Sequence, residues 1–184
     1  MMLKKLIREI QKKRSKAERQ LFDATTERLM AVALRYVVDQ HVARDVLQES
    51  YIRIFKGLKK FEYSSEAECW SWMNRIVARE ALRWIKKSKR WNEIKQNGSS
   101  PLISISPEHP CYEDEKFNML KCLRPEERFV FNLYALEGYS HKEIAEEMEL
   151  AESSSRSLLT RARKKLQTQI QKMNNYEERQ IQRS

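Results

Sequence analysis

A chain of 184 residues with 41% hydrophobic residues can bury one larger core or two small ones, although 34% charge makes it very polar. Only 3 glycines and 4 prolines argue against a turn-rich sheet protein and for helices. A net charge of +10 points to a polyanionic partner, either nucleic acid or an anionic membrane surface.

The chain opens on the basic, amphipathic stretch "MMLKKLIREIQKKRSKAER", with no signal-peptide apolar core after it. The longest apolar run, "LMAVALRYVV", is interrupted by Arg35 and falls short of the ~20 residues that cross a bilayer. A cytoplasmic protein without membrane insertion is expected. Cys69, Cys111 and Cys122 are odd in number and lie far apart without a CxxC pair, so reduced thiols are expected rather than a disulfide framework. His109 and Cys111 in "HPC" lack a second ligand pair, so neither a metal nor a cofactor is expected.

From Leu3 to about Trp91, apolar residues recur at helical spacing in "LIREI", "LMAVALRYVV", "VLQESYIRIFKGL" and "WMNRIVAREALRWI". Residues 92–115 hold Gly98 and three of the four prolines among serines, the composition of a linker. A second helical block begins near Lys116 and runs to about Met173, and a frayed tail over 174–184 closes the chain. The expected fold is therefore all-α, with two small helical domains, 1–91 and 116–173, on either side of the linker.

Turning "ARDVLQESYIRIFKGLKKF" by about 100° per residue puts Ala43, Leu47, Tyr51, Ile54, Leu58 and Phe61 on one side as the core stripe. Asp45, Gln48, Glu49, Ile52, Lys56 and Lys59 fall opposite, with Phe55 on the border. An apolar residue ringed by charge fits a protein-docking surface, where apolar contact supplies energy and the rim supplies register. A single exposed apolar residue is also ordinary.

The next helix, Cys69 to Lys89, places Met73, Ile76, Val77, Ala81 and Trp84 inward. Arg75, Arg79, Arg83, Lys86 and Arg90 lie on another face, with Trp72 inside that basic stripe. Cations neutralise phosphates, and an aromatic ring stacks on an unpaired base, so the stripe suits opened nucleic acid. The same spacing also fits solvated arginines with Trp72 at the edge of the core.

In "SHKEIAEEMELAESSSRSLLTRARKKL", Ser140 and Glu143 form a capping box, and Ile144 and Met148 point inward. Leu150 is expected to fill the space beneath the turn. After the turn, Ser155, Leu159, Ala162 and Leu166 align on one side. Ser153, Arg156, Ser157, Thr160, Arg161 and Lys164 align on the other, a set suited to groove-edge hydrogen bonds and phosphate contacts. This is a helix-turn-helix, with a plain helical hairpin as the simpler alternative. No Gly-rich phosphate loop, ligand cluster or nucleophile–base pair suggests an enzyme or a small-molecule substrate.

Taken in order, "RDVLQESYIRIFKGLKKF", "CWSWMNRIVAREALRWIKKSKR", "LRPEERFVFNLYALEGYSHKEIAEEMEL" and "RSLLTRARKKLQ" resemble the extracytoplasmic-function sigma factors of bacterial RNA polymerase. The resemblance spans Leu6 to about Gln171. It implies bacterial RNA polymerase core and promoter DNA as partners, and an anti-sigma factor as a regulator common in the family. It also implies that the Asp45/Gln48/Glu49 helix, with Ile52 and Phe55, docks on the polymerase largest subunit. The loop at Tyr63–Glu68 and the basic helix match the segment that recognises and opens the downstream promoter element, with Trp72 near the melted edge. The helix-turn-helix matches the reader of the upstream element, in a domain that also meets the polymerase flap. An ordinary helix-turn-helix regulator is the alternative function. Arg79 and Arg83 depart from the Asn and Asp frequent in the family, and Arg44 stands where an acidic residue is common. Glu149 and Ala151 replace the usual turn glycine and capping serine. Since Glu149 adopts a left-handed conformation only at a cost, a looser turn is expected there.

Overall fold

Leu3, Leu6, Ile7 and Ile10 repeat at three- and four-residue steps, and α1 (Met2–Gln11) buries all four. The computed structural model describes residues 2–87 and 119–181, with the side chains at 15 and 176–181 excepted. The 92–115 linker and Arg90 lie outside the described residues. Among those described there are seven helices and no strand. They divide between two compact units, Met1–Gly98 and Ser99–Ser184.

In the first unit α2 (Ser15–Val37) carries the most apolar run of the chain, and Leu21, Leu29, Ala33 and Tyr36 are completely buried. It ends at Val38 in the left-handed region (φ 63), where its N–H bonds the Leu34 carbonyl at 3.0 Å. Asp39 caps α3 (Gln40–Leu58), its carboxylate accepting from the Val42 N–H at 3.0 Å. Ser65 does the same for α4 (Glu66–Lys87), its hydroxyl accepting from the Glu68 N–H at 3.1 Å. The helices α2, α3 and α4 pack against one another, and α1 lies on α2. Thr25 and Thr26 of α2 meet the Tyr51 phenol of α3 at 2.8 and 3.1 Å, a polar seam through this core.

In the second unit Pro125 sits in the first turn of α5 (Pro125–Ala135), where its missing N–H costs nothing. Glu127 reaches back to the Arg124 N–H at 3.0 Å and also takes Lys165 Nζ at 2.6 Å, joining the start of α5 to the last helix. Gly138 takes φ +74 in the turn that follows. The expected capping box forms at α6 (His141–Met148): Ser140 Oγ accepts from the Glu143 N–H, and Glu143 accepts from the Ser140 N–H at 2.8 Å. The last helix, α7 (Glu152–Ile181), runs through the 174–181 stretch expected to fray. Leu120, Leu123, Ala162 and Leu166 close one end of this core, and Phe129, Val130 and Ile144 are fully buried.

Candidate polymerase-docking and nucleic-acid faces

On α3 the stripe Ala43, Leu47, Tyr51, Ile54 and Leu58 is buried. Phe61 lies past the helix end and is half-buried. Asp45, Gln48, Glu49, Lys56 and Lys59 are exposed, and Ile52 stands among them at 62% exposure. Phe55 is half-buried, stacked 5.7 Å from Tyr51, which lies 4.6 Å from Phe22 of α2. Phe22 is itself partly exposed, so the apolar character of this face extends onto α2, beyond the residues read from the α3 pattern.

The basic side of α4 keeps Arg75, Arg79 and Arg83 exposed and Lys86 half-buried. Its inward side is broader than the expected stripe. Met73, Val77 and Ala81 are buried as expected, Ile76 and Trp84 are only half-buried, and Ala78, Leu82 and Ile85 are buried as well. Packing against both α2 and α3 makes a helix bury more than one stripe. Glu80 is also buried, at 6% exposure, and its carboxylate takes both Arg83 and Arg53. Arg83 is therefore anchored to the α3–α4 seam, a constraint invisible from the α4 pattern.

Trp72 is half-buried against Phe61, with ring centroids 4.6 Å apart. A Cβ at Gly57 would come within 2.7 Å of Trp72 Cζ2, so only glycine lets the indole lie on α3. The ring thus sits at the core edge and keeps part of its surface in solvent beside the basic side of α4.

The start of α7 follows the helical wheel throughout. Ser153, Arg156, Ser157, Thr160, Arg161 and Lys164 are exposed, while Ser155, Leu159, Ala162 and Leu166 are buried. Ser154 joins Ser153, Arg156 and Ser157 around a shallow depression, an addition to the expected set. Arg156 is held by Glu152 at 2.5 Å, and Thr160 donates back to the Arg156 carbonyl at 3.0 Å. Behind this face Ser155, placed by the wheel in the inward row, is fully buried with its hydroxyl 2.9 Å from His141 Nδ1. His141 in turn stacks on Tyr134 at 4.6 Å. The core is closed there by a polar tie.

The turn between α6 and α7 corrects another expectation. Glu149 does enter the left-handed region (φ 56, ψ 51), and the Leu150 N–H bonds the Ala145 carbonyl at 3.0 Å. The turn stays tight because Met148 and Ile144, buried at 1% and 0%, fix the angle of α6 over α7. Leu150 itself is half-buried rather than fully enclosed.

Behind the helix-turn-helix, Arg128 is buried, and loss of hydration pushes its guanidinium down to about 10, with the Glu126 carboxylate opposing the shift. Burial likewise raises Glu126 above the ordinary carboxylate range. Both belong to the interior of the second unit. Among the described residues no three His, Cys, Asp or Glu side chains gather as metal ligands, and His109–Cys111 lies outside those residues.

The second unit carries a helix-turn-helix, and the first sets the exposed Ile52 face of α3 beside the basic side of α4, the arrangement expected of sigma-70 type initiation factors. The family model for sigma-70 region 2 matches residues 21–91, and that for sigma-70 region 4 matches residues 118–166. The chain is 24% identical over 132 residues to the ECF RNA polymerase sigma factor SigM of Bacillus subtilis, covering 70% of this chain and 79% of that one. It is 25% identical over 181 residues to the ECF RNA polymerase sigma-E factor of Salmonella typhimurium, covering 90% and 93%. In fold it is similar to the Bartonella quintana sigma factor RpoE, solved with the anti-sigma factor NepR, at a TM-score of 0.50 and 20% identity over 83% of this chain and 96% of that one. The chain belongs to the extracytoplasmic-function sigma factors of bacterial RNA polymerase. It functions as a promoter-specificity subunit, with core polymerase and promoter DNA as its partners. The alternative of a stand-alone helix-turn-helix regulator is not favoured.

Proposed function

We propose a division of labour among the three faces. The outer face of α3, with Asp45, Gln48, Glu49, Ile52 and Phe55, docks on core polymerase. The basic side of α4, with Trp72, Arg75, Arg79, Arg83, Lys86 and Arg90, holds the opened downstream element. The start of α7, with Ser153, Arg156, Ser157, Thr160, Arg161 and Lys164, reads the upstream element. On this reading residues 1–91 act as region 2 and 116–173 as region 4.

The observation that carries the reading is the exposure of Ile52 inside a ring of polar and charged side chains. Leaving an isoleucine in water forgoes about 1.5–3 kcal/mol of burial, which a docked partner recovers. No bond is made or broken by the chain. Its binding energy goes to separating strands and holding the unpaired ones, with base–aromatic stacking worth about 1–3 kcal/mol per base. Glu80 limits what Arg83 contributes, because a phosphate must compete with a buried carboxylate for that guanidinium.

Replacing Gln48 and Glu49 by alanine is expected to weaken core-polymerase binding and leave isolated upstream-element binding unchanged. Unchanged core affinity sinks the docking assignment. Charge reversal at Arg156 and Arg161 is expected to abolish upstream recognition, and unaltered transcription from the cognate promoter refutes it. A stand-alone regulator would bind its duplex site without core, so comparing binding with and without core separates the functions. The Bartonella relative was solved with an anti-sigma factor, which motivates a protein regulator of that class here. Capture on the tagged chain, with core polymerase as competitor, tests for one.

A further inference from the structure

The first turn of α7 has almost no apolar anchor. From Ala151 to Ser157 every side chain except that of Ser155 is exposed. Leu158 is half-buried, and Leu159, at 4% exposure, is the first apolar side chain of α7 to enter the core. Ser153, Arg156 and Ser157, assigned above to the upstream element, therefore precede the point where apolar packing takes hold.

What fastens that turn is polar. Ser155 Oγ lies 2.9 Å from Nδ1 of His141, the first residue of α6. The imidazole is held in turn by the Tyr134 ring of α5, stacked on it at 4.6 Å with 25° between the planes. Over the same Tyr134 ring, 5.6 Å from its centre, stands the guanidinium of Arg163, which belongs to α7 again. The path from Ser155 through His141 and Tyr134 to Arg163 thus leaves α7, crosses both neighbouring helices and returns farther along α7. On an ideal helix its two ends are ~12 Å apart along the axis and ~80° apart around it. Two fastenings so placed resist rotation of α7 about its own axis, which non-directional apolar contact resists poorly.

Rotation is what a reader of base edges tolerates least. Side-chain tips stand about 5–6 Å from the helix axis, so turning α7 by ~10° carries them ~1 Å. That exceeds the range of about 0.5 Å over which an N–H···O hydrogen bond holds. A cation facing a phosphate loses far less, because charge acts over a longer range and the contact carries no sequence information.

We propose that His141 is a positioning residue for the upstream-element reader: through Ser155 it sets the rotation of the first turn of α7, and with it the sharpness of base discrimination. The inference rests on the reading of the α7 face given above. An apolar residue at 155 would fill the core but leave rotation to shape alone, whereas a histidine facing a buried serine adds direction.

The test uses holoenzyme reconstituted from core polymerase and the full-length chain. It transcribes a pool of its promoter randomised over the upstream element, and transcripts are counted by sequencing. The readout is the spread, the ratio of yield from the best upstream sequences to the median yield. Ser155→Ala removes the hydrogen bond, and so does His141→Phe, which keeps a flat ring on Tyr134. Each is expected to narrow the spread about five-fold, the low end of what one bidentate base contact contributes. The double variant is expected to narrow it no further, since both changes cut one bond. Loss of folded protein lowers every yield by the same factor and leaves the spread alone. Lower yields with an unchanged spread would therefore reduce the tie to a support of the fold and overturn the proposal. So would losses that add in the double variant. Arg156→Glu/Arg161→Glu separates the proposal from the reading beneath it. If charge reversal erases the preference while the tie variants keep it, the reading stands and the proposal fails. If charge reversal also leaves the preference intact, the α7 reading fails and the proposal with it.

Discussion

Glu149→Gly isolates the energy held in the turn of the helix-turn-helix. Glu149 sits at φ 56 and ψ 51, where a side chain beyond glycine costs about 1–2 kcal/mol through the clash of Cβ with the carbonyl. Glycine removes that cost but loosens the unfolded chain, which returns about 0.4–1 kcal/mol. The net gain for the second unit is about 0.5–1 kcal/mol. Glu149→Ala is the companion, because it deletes the carboxylate and keeps the strained φ. All four tryptophans, at 70, 72, 84 and 91, precede the second unit, so indole fluorescence does not report on it. Hydrogen exchange at the buried Leu159 and Ala162 amides does. Exchange through opening of the unit should slow about two- to five-fold in the glycine variant relative to the alanine variant. Equal rates in the two variants would refute the assignment of strain to Glu149.

Glu80→Gln is expected to destabilise the first unit by about 1–2 kcal/mol, read from a lower urea midpoint in tryptophan fluorescence. The loss is below that for breaking a fully buried pair because Arg53 and Arg83 are half exposed and regain water. Tyr51→Phe should lose about 1 kcal/mol, since Thr25 already donates to the Leu21 carbonyl and Tyr51 alone fills its remaining side. Burial raises the Tyr51 phenol above 10.0, so the folded state keeps that proton more tightly than the unfolded one. Its contribution is whole below pH 10 and fades above it, and the gap between parent and Tyr51→Phe should narrow there. Burial pushes the Cys69 thiol up to about 11, so iodoacetamide at pH 8 should label exposed Cys122 well before Cys69, and equal rates would contradict the burial.

Legibility in the sequence followed how each helix is packed. The start of α7 buries one narrow row against α5 and α6, so a 100° wheel sorted its buried from its exposed residues. The wheel was less successful on α4, which is wedged between α2 and α3 and buries Ala78, Leu82 and Ile85 beyond its expected stripe. The burial of Glu80 is not legible from α4 alone, since one of its two partners, Arg53, belongs to another helix. The polar partner of inward-facing Ser155 is hidden for the same reason, His141 lying across the turn. Local propensity argued against a left-handed Glu149, and packing of Ile144 and Met148 overrode it. In each case the missing information was the identity of a neighbour distant in sequence.

The Glu152–Arg156 pair has a consequence for how far the second unit's attraction to DNA reaches. Both side chains are substantially exposed and sit 2.5 Å apart, so from a distance their fields cancel. At a separation beyond a Debye length of about 8–10 Å, a duplex senses Arg161 and Lys164 but scarcely Arg156. Only at contact can a phosphate or base edge displace Glu152, at a cost of about 0–1 kcal/mol for an exposed pair. On the proposed reading of the α7 face, Arg156 is silent during approach and engaged at registration, adding little to the capture of arbitrary DNA and more to residence on a site whose geometry reaches it.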